Sequence, residues 1–234
     1  MSTTFKQVSA IIVAAGKGSR MKTHINKQYL LLQGKPVLAH TIDAFEKCHC
    51  ISEIIVVIHK DDQDYFHKSI IKPYNFSKIT EITYGGEDRQ ASVFNGLSCV
   101  SSTSDIVAVH DGARPLITPD VIQKTVEVAA ICGVACVGMP VKDTIKKIDE
   151  YQNVEYTPDR SLLWTIQTPQ TFRKEILSKA HKDADISGFR GTDDSVLAER
   201  LGYKVRMVMG SYTNIKITTT EDIVFAESML KNIL

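Results

Sequence analysis

The chain has 234 residues, 43% hydrophobic and 24% charged, the balance of a globular protein and not of a disordered or fibrous one. That length suits one large α/β domain, since single cores stop growing at roughly 250–300 residues. Lys and Arg total 28 against 27 Asp and Glu, a formal net charge of +1, with no long run of like charge, which excludes a nucleic-acid or membrane tail and leaves any anion affinity to a few placed cations and backbone amides.

The opening segment lacks a basic stretch followed by a long apolar one, so Val8–Ala14 reads as a buried strand and not as a signal. Pro36–Phe45 reads as a helix with Pro in its first turn. Glu53–Ile58 is a second buried strand, and Asp61–Ile71 a helix closed by Pro73. A strand at Ile79–Tyr84 ends in Gly85-Gly86, and a helix over Arg89–Val100 places Val93, Gly96, Leu97 and Val100 on one face. Asp105–Val109 is a strand, Asp120–Ala130 a helix after Pro119, and Gly133–Val137 the next buried strand. Residues 141–160 break the pattern: short β-capable pieces at Thr144–Ile148 and Val154–Thr157 flank a turn at Asp149–Asn153, which predicts a protruding hairpin arm suited to an oligomer contact. A helix at Asp193–Arg200, a strand at Lys204–Met209 and a helix at Thr220–Leu230 complete the chain.

Strands alternating with helices predict an α/β fold, a mostly parallel twisted sheet with helices on both faces. Ligands of such sheets sit beyond the carboxyl ends of the strands. The loops after Ala14, Tyr84, Val109 and Val137 are therefore the ones expected to carry function.

The first of these runs Ala14-Ala15-Gly16-Lys17-Gly18-Ser19-Arg20, with Lys27 close behind. Glycines let backbone N–H groups approach phosphate oxygens. Arg20 and Lys27 add the cations that phosphoryl or nucleotidyl transfer requires, because charge builds on the phosphate under attack. The pattern is neither the dinucleotide fingerprint nor the P-loop. A bare turn would explain the glycines but not the cations. After the next strand, Gly85-Gly86-Glu87-Asp88-Arg89-Gln90-Ala91-Ser92 could read a base edge through Gly86 and Glu87 while Arg89 and Ser92 reach ribose or phosphate; ordinary helix capping accounts for the same residues. His110-Asp111-Gly112-Ala113-Arg114 places a carboxylate at a strand end, where Asp111 could hold Mg²⁺ against phosphate oxygens or pair with Arg114; His110 reads as structural. Lys142-Asp143-Thr144, Arg160, Thr192-Asp193-Asp194 and Asn214-Ile215-Lys216 are ordinary surface residues one by one and together could receive a phosphorylated polyol. Five cysteines, an odd number, argue against a disulfide framework and for the reducing cytoplasm. Cys48-His49-Cys50 lacks the second pair a zinc site needs.

The motifs IIVAAGKGSRM, NKQYL, GGEDRQASVFNGL, VHDGARPL, PVKDTIK, RSLLWTIQTPQTF, GTDDSVL and NIKITTTED, in that order along nearly the whole chain, resemble the 2-C-methyl-D-erythritol 4-phosphate cytidylyltransferases of non-mevalonate isoprenoid synthesis. The resemblance implies a Rossmann-like nucleotidyltransferase fold over residues 1–234 as one domain. It further implies a cytoplasmic homodimer joined through the 141–160 arm, CTP and a small polyol phosphate as substrates, and Mg²⁺ as cofactor. Carried over, it assigns Arg20 and Lys27 to catalysis; Ala14, Ala15, Gly16, Gly18, Gly86, Glu87, Arg89, Ser92, Asp111 and Gly112 to the nucleotide; and Asp111 to the metal. Arg114, Thr144, Arg160, Thr192 and Lys216 fall to the polyol phosphate, some of them from the partner subunit. Asn26 stands where the family usually has Pro, which predicts a looser loop around Lys27, and Gly112 stands where Ala is common. A ribitol 5-phosphate cytidylyltransferase and a nucleotide-sensing protein without catalysis are the competing readings. A dinucleotide-dependent oxidoreductase would need a third glycine that is absent.

Overall fold

The computed structural model describes residues 7–16 and 26–231. β1 (Val8–Ala14) is followed by a short hairpin, β2 (Leu31–Leu32) and β3 (Lys35–Pro36), and by α1 (Val37–Lys47). β4 (Glu53–Ile58) and β5 (Ile79–Tyr84) enclose a helical segment made of α2 (Gln63–Phe66), a wide π-turn at His67–Ile71 and α3 (Lys72–Tyr74). Then come α4 (Arg89–Ser98), β6 (Ile106–Asp111), α5 (Pro119–Cys132) and β7 (Val134–Pro140). The arm carries β8 (Lys147–Ile148) and β9 (Val154–Tyr156), and the chain returns through β10 (Trp164–Arg173), α6 (Lys174–Ser187), α7 (Asp194–Arg200), β11 (Arg206–Met209) and α8 (Thr220–Lys231).

Seven strands form one sheet in the order β11-β7-β10-β6-β1-β4-β5. All run parallel except β10, which lies antiparallel between β6 and β7. The central strands read as unbroken apolar runs because both faces are covered. Ala10, Ile12, Ile54, Val56 and Ile58 point into one core with Leu38, Ile42 and Phe45 of α1 and Ile122 and Val126 of α5. Ile11, Ile55, Val57, Val107 and Val109 point into the other, against Val93 and Leu97 of α4, Ile176 and Leu177 of α6 and Ala198 of α7. No helix among the described residues is long and apolar enough to cross a membrane.

The structure differs from the pattern reading at several points, the β2–β3 hairpin among them. No element was expected between Arg160 and Asp193, yet β10 and α6 lie there. The β10 segment, WTIQTPQTFR, lacks period-two alternation and contains Pro169; the proline is accommodated because it falls in the register shift between Ile166 and Gln170. The helix expected to close at Pro73 runs on to Tyr74. The π-turn before Pro73 absorbs the missing N–H, and Asn75, at φ 45°, ends the segment. β6 extends to Asp111, two residues beyond the expected Val109. In the arm only Lys147–Ile148 and Val154–Tyr156 pair, around a turn in which the Asp149 carboxylate accepts the N–H groups of Tyr151 and Asn153.

Candidate active site

A cleft of about 480 Å³ opens beyond the carboxyl ends of β1, β4, β5 and β6. Ala14, Ala15 and Gly16 enter it from β1, His59 from β4, Gly86 and Glu87 from the loop after β5, and Asp111 from β6. Three of the four expected loops thus meet here. The fourth, after Val137, runs on as strand to Pro140 and into the arm, and contributes no residue to the described lining.

Two of the loops are pressed together by glycine. A Cβ on Gly85 would lie 2.3 Å from the Cβ of Ala15, so any side chain there would push the β1 and β5 loops apart. Beyond it the turn is self-supporting. Ser92 Oγ accepts the Gly86 N–H at 3.1 Å and donates to the Asp88 carbonyl at 2.7 Å, while the Asp88 carboxylate caps α4 through the Ala91 N–H at 2.7 Å. Gly86 and Ser92 therefore shape the cleft wall. Glu87 and Arg89 present side chains to it.

The floor is one buried carboxylate among three cations. Asp111 is 7% exposed. Its Oδ1 accepts from Arg89 Nε at 3.2 Å, and its Oδ2 lies 2.8 Å from Lys216 Nζ and 3.7 Å from Arg114 Nε. Burial alone would raise its pKa, but Arg89 and Lys216 outweigh that and hold the carboxyl well below the usual carboxylate range. Arg89 is gripped from behind: its Nη1 donates to Asp194 Oδ2 at 2.7 Å, and the other Asp194 oxygen is 3.1 Å from His181 Nε2. Burial opposes the charge on Arg89, yet Asp194 and Asp111 leave it more firmly protonated than an exposed arginine. Three cations against two carboxylates leave this cluster positive, which suits it to an anion.

β10 supplies the supports. Thr168 Oγ1 accepts the Asp111 N–H at 3.0 Å and lies 3.0 Å from His110 Nδ1; His110 Nε2 lies 3.3 Å from the Arg114 carbonyl. Since a carbonyl can only accept, Nε2 carries the proton and Nδ1 accepts from the threonine, which specifies neutral imidazole. Burial pushes the His110 pKa down to about 3. Gln170 Oε1 takes the N–H groups of Asp194 and Ser195, both at 3.0 Å, setting the start of α7. Asn214 bonds the Thr168 carbonyl at 3.1 Å, and its own carbonyl receives Arg114 Nη1 at 2.8 Å.

Lys27 reaches the cleft from a one-turn helix, Lys27–Tyr29. Asn26 does not loosen this loop. Its Nδ2 donates to both Asp62 oxygens at 2.8 Å, and Gln28 Nε2 donates to the Ala14 carbonyl at 2.7 Å. The expected slackness is overturned by a side-chain tether that no local sequence pattern announces, because Asp62 lies on the far side of β4.

Arg20 and Gly18 lie outside the described residues. Gly112 sits beneath the cleft, its N–H on the Val13 carbonyl at 2.8 Å and its carbonyl accepting from Thr41 Oγ1 at 2.9 Å. Arg114 stands behind Asp111, and Lys216 lines the cleft beside it. Thr144, Arg160 and Thr192 are exposed and outside this lining; Arg160 Nη1 bonds the Lys142 carbonyl at 2.8 Å, closing the base of the arm. Sequence reasoning assigned no role to Gln28, His59, Thr168 or His181, and named Asp88 and Asp194 only as members of the runs around Arg89 and Thr192, not as the cap of α4 and the buried partner of Arg89.

The family model for 2-C-methyl-D-erythritol 4-phosphate cytidylyltransferase matches residues 8–232. The chain belongs to this family. It is 51% identical over 224 residues to the 2-C-methyl-D-erythritol 4-phosphate cytidylyltransferase of Caldanaerobacter subterraneus subsp. tengcongensis, covering 96% of this chain and 99% of that one. The 4-diphosphocytidyl-2C-methyl-D-erythritol synthase structure from Anaerococcus prevotii superimposes with a TM-score of 0.87 at 39% identity, covering 97% of this chain and 96% of that one. The cytidylyltransferase structure from Thermus thermophilus gives 0.78 at 31% identity, with 96% and 99% covered. The protein is thus a cytidylyltransferase with the nucleotidyltransferase fold of this family.

Proposed function

We propose that this cleft joins CTP to 2-C-methyl-D-erythritol 4-phosphate, the phosphate oxygen attacking the α-phosphorus in line as pyrophosphate leaves. The observation that carries the reading is Asp111 buried among Arg89, Arg114 and Lys216, a positive cluster facing loops from β1 and β5. A phosphate monoester is already an anionic nucleophile, so the protein needs positioning and charge neutralisation more than a general base. Ala14 to Gly16 and the Gly86 turn flank the nucleotide, with Glu87 and Arg89 toward the base and ribose. Lys27, with Arg20, neutralises charge that develops on the α-phosphate. Lys216 receives the polyol phosphate with the charge of Arg114 behind Asp111 supporting it, and Thr144, Arg160 and Thr192 complete its site, the arm residues by crossing to the partner subunit.

Mg²⁺ fits this donor set. Among the described residues no three His, Cys, Asp or Glu side chains converge, but Mg²⁺ on nucleotides is commonly held by one or two carboxylates with phosphate oxygens and water. Asp111 would hold it, and the ion would supply neutralisation of the triphosphate.

The same reading makes residues 1–234 one nucleotidyltransferase domain and the arm the dimer contact. Ile148, Val154 and Tyr156 are 50%, 56% and 54% exposed on the arm, an apolar surface that a second copy would cover. The five free cysteines accord with the cytoplasm.

The test is pyrophosphate release from CTP and Mg²⁺ with methylerythritol 4-phosphate or ribitol 5-phosphate. Release with the former is expected, and preference for ribitol phosphate would reassign the acceptor. Lys27→Ala should lower kcat by ~10²–10³ if Lys27 acts as one preorganised transition-state donor; unimpaired turnover would remove that role.

A further inference from the structure

Lys27 is a flexible side chain on a three-residue helical turn, and such a turn has too few internal bonds to hold a position by itself. What holds it comes from outside. Asn26 Nδ2 is bonded to both oxygens of Asp62 at 2.8 Å, and on the other side of Lys27 the Gln28 amide is anchored to the Ala14 carbonyl at 2.7 Å, with Asp62 Oδ2 at 3.5 Å. Tyr29 completes the turn: it is 3% exposed, packs edge-on against Tyr65 at 4.9 Å, and its hydroxyl pKa is raised by burial and by the Asp62 charge. Asp62 begins α2, yet its side chain makes no capping bond there. The carboxylate faces the Lys27 turn instead of its own helix.

We infer that Asp62 is a positioning residue for Lys27, clamping Asn26 so that the lysine turn is fixed over the cleft. The inference rests on the catalytic reading of Lys27. The clamp has a covalent equivalent. Asn26 stands at φ −61° and ψ 138°, and a proline ring imposes φ ≈ −65 ± 15° without any partner. Asn26 with Asp62 and proline alone are therefore two ways of imposing one backbone conformation, the first by a long-range hydrogen-bonded pair and the second by a ring.

That equivalence supplies a rescue experiment. Steady-state pyrophosphate release, with CTP and methylerythritol 4-phosphate varied in turn, is compared for the full-length wild type, Lys27→Ala, Asp62→Ala and Asp62→Ala with Asn26→Pro. Asp62→Ala should lower kcat about ten- to a hundred-fold, the scale of a misplaced catalytic group, with KM for both substrates changed by less than about three-fold. Adding Asn26→Pro should recover most of that loss, which a generally destabilised fold would not do. If Asp62→Ala does not fold, Asn26→Ala releases the clamp from the other side and should show the same split between kcat and KM. An Asp62→Ala enzyme within about two-fold of wild-type kcat, while Lys27→Ala is impaired, overturns the clamp alone. Failure of Asn26→Pro to rescue folded Asp62→Ala overturns it too. An unimpaired Lys27→Ala instead overturns the catalytic reading beneath it.

Discussion

His110 shows how a single residue ties stability to pH. It is fully buried, neutral, and bonded through one nitrogen to Thr168 and through the other to the Arg114 carbonyl. Its pKa in the fold is about 3, against about 6.5 for an exposed imidazole. The unfolded chain therefore binds a proton that the folded one refuses, and this contribution is full above about pH 6.5 and lost as pH falls toward 3. Asp111 and Asp194 are depressed as well, burial being outweighed by Arg89 in both and by Lys216 in the first. Their contribution is present above the ordinary carboxylate pKa of about 3.9 and fades only below it. The two windows separate. Urea midpoints taken from about pH 7 down to about pH 5 should fall in the wild type, and His110→Gln should flatten that slope while leaving the drop below about pH 4 in place. At the same scale, Asp194→Asn frees one end of Arg89. KM for CTP should rise about ten-fold, the worth of one charge-assisted hydrogen bond, with kcat changed less. Equal falls in kcat and kcat/KM would assign Asp194 to the transition state instead.

Among the elements, α4 places Arg89 in the cleft, and the arm carries the proposed dimer contact. α4 delivers Arg89 from its first turn, and it lies close to the sheet because Gly96 has no side chain: a Cβ there would be 2.6 Å from an Ile11 methyl and 2.9 Å from a Val57 methyl. Gly96→Ala should destabilise by about 1–3 kcal/mol in urea unfolding and raise KM for CTP, since the helix must lift and Arg89 with it. A stability loss without a KM change would uncouple α4 height from Arg89. The arm offers a different test. On the proposed arm dimer, Asp substitutions at Ile148 and Val154, both exposed on a two-stranded hairpin, should leave the core intact and shift sedimentation to the monomer, with KM for the polyol phosphate raised if the proposed reach of Thr144 and Arg160 to a partner is lost. A dimer that persists would place the contact elsewhere.

Taken whole, the molecule is nearly neutral, at +1, and sets three cations against two carboxylates where the loops converge. A ligand that fits only the assembled cleft stabilises the whole fold by mass action. CTP with Mg²⁺ at about a hundred times its Kd should add about 2.7 kcal/mol, or roughly 5–10 °C in Tm for a chain of this size. A melting curve unmoved by CTP would remove the nucleotide from the cleft. The order of the sheet strands and their helices from β1 to β7, the β2–β3 hairpin apart, the loops after Ala14 and Tyr84, and the carboxylate at the end of β6 were legible in the sequence, because buried parallel strands are unbroken apolar runs and ligand loops follow them. What local pattern could not show is whatever depends on pairing at a distance. β10 has no alternation and carries a proline, so its place between β6 and β7 is decided by neighbours on either side. Asp194 and His181 look like surface residues until α6 and α7 pack and bury both beside Arg89. Asn26 reads as a missing proline until β4 brings Asp62 to it. Residue type and spacing thus pointed to the fold class and to loops able to handle phosphate, and the ordered motif set pointed to the family. Only the tertiary structure decided which buried partner holds each charged group, because those contacts join segments up to about a hundred residues apart, as between Arg89 and Asp194.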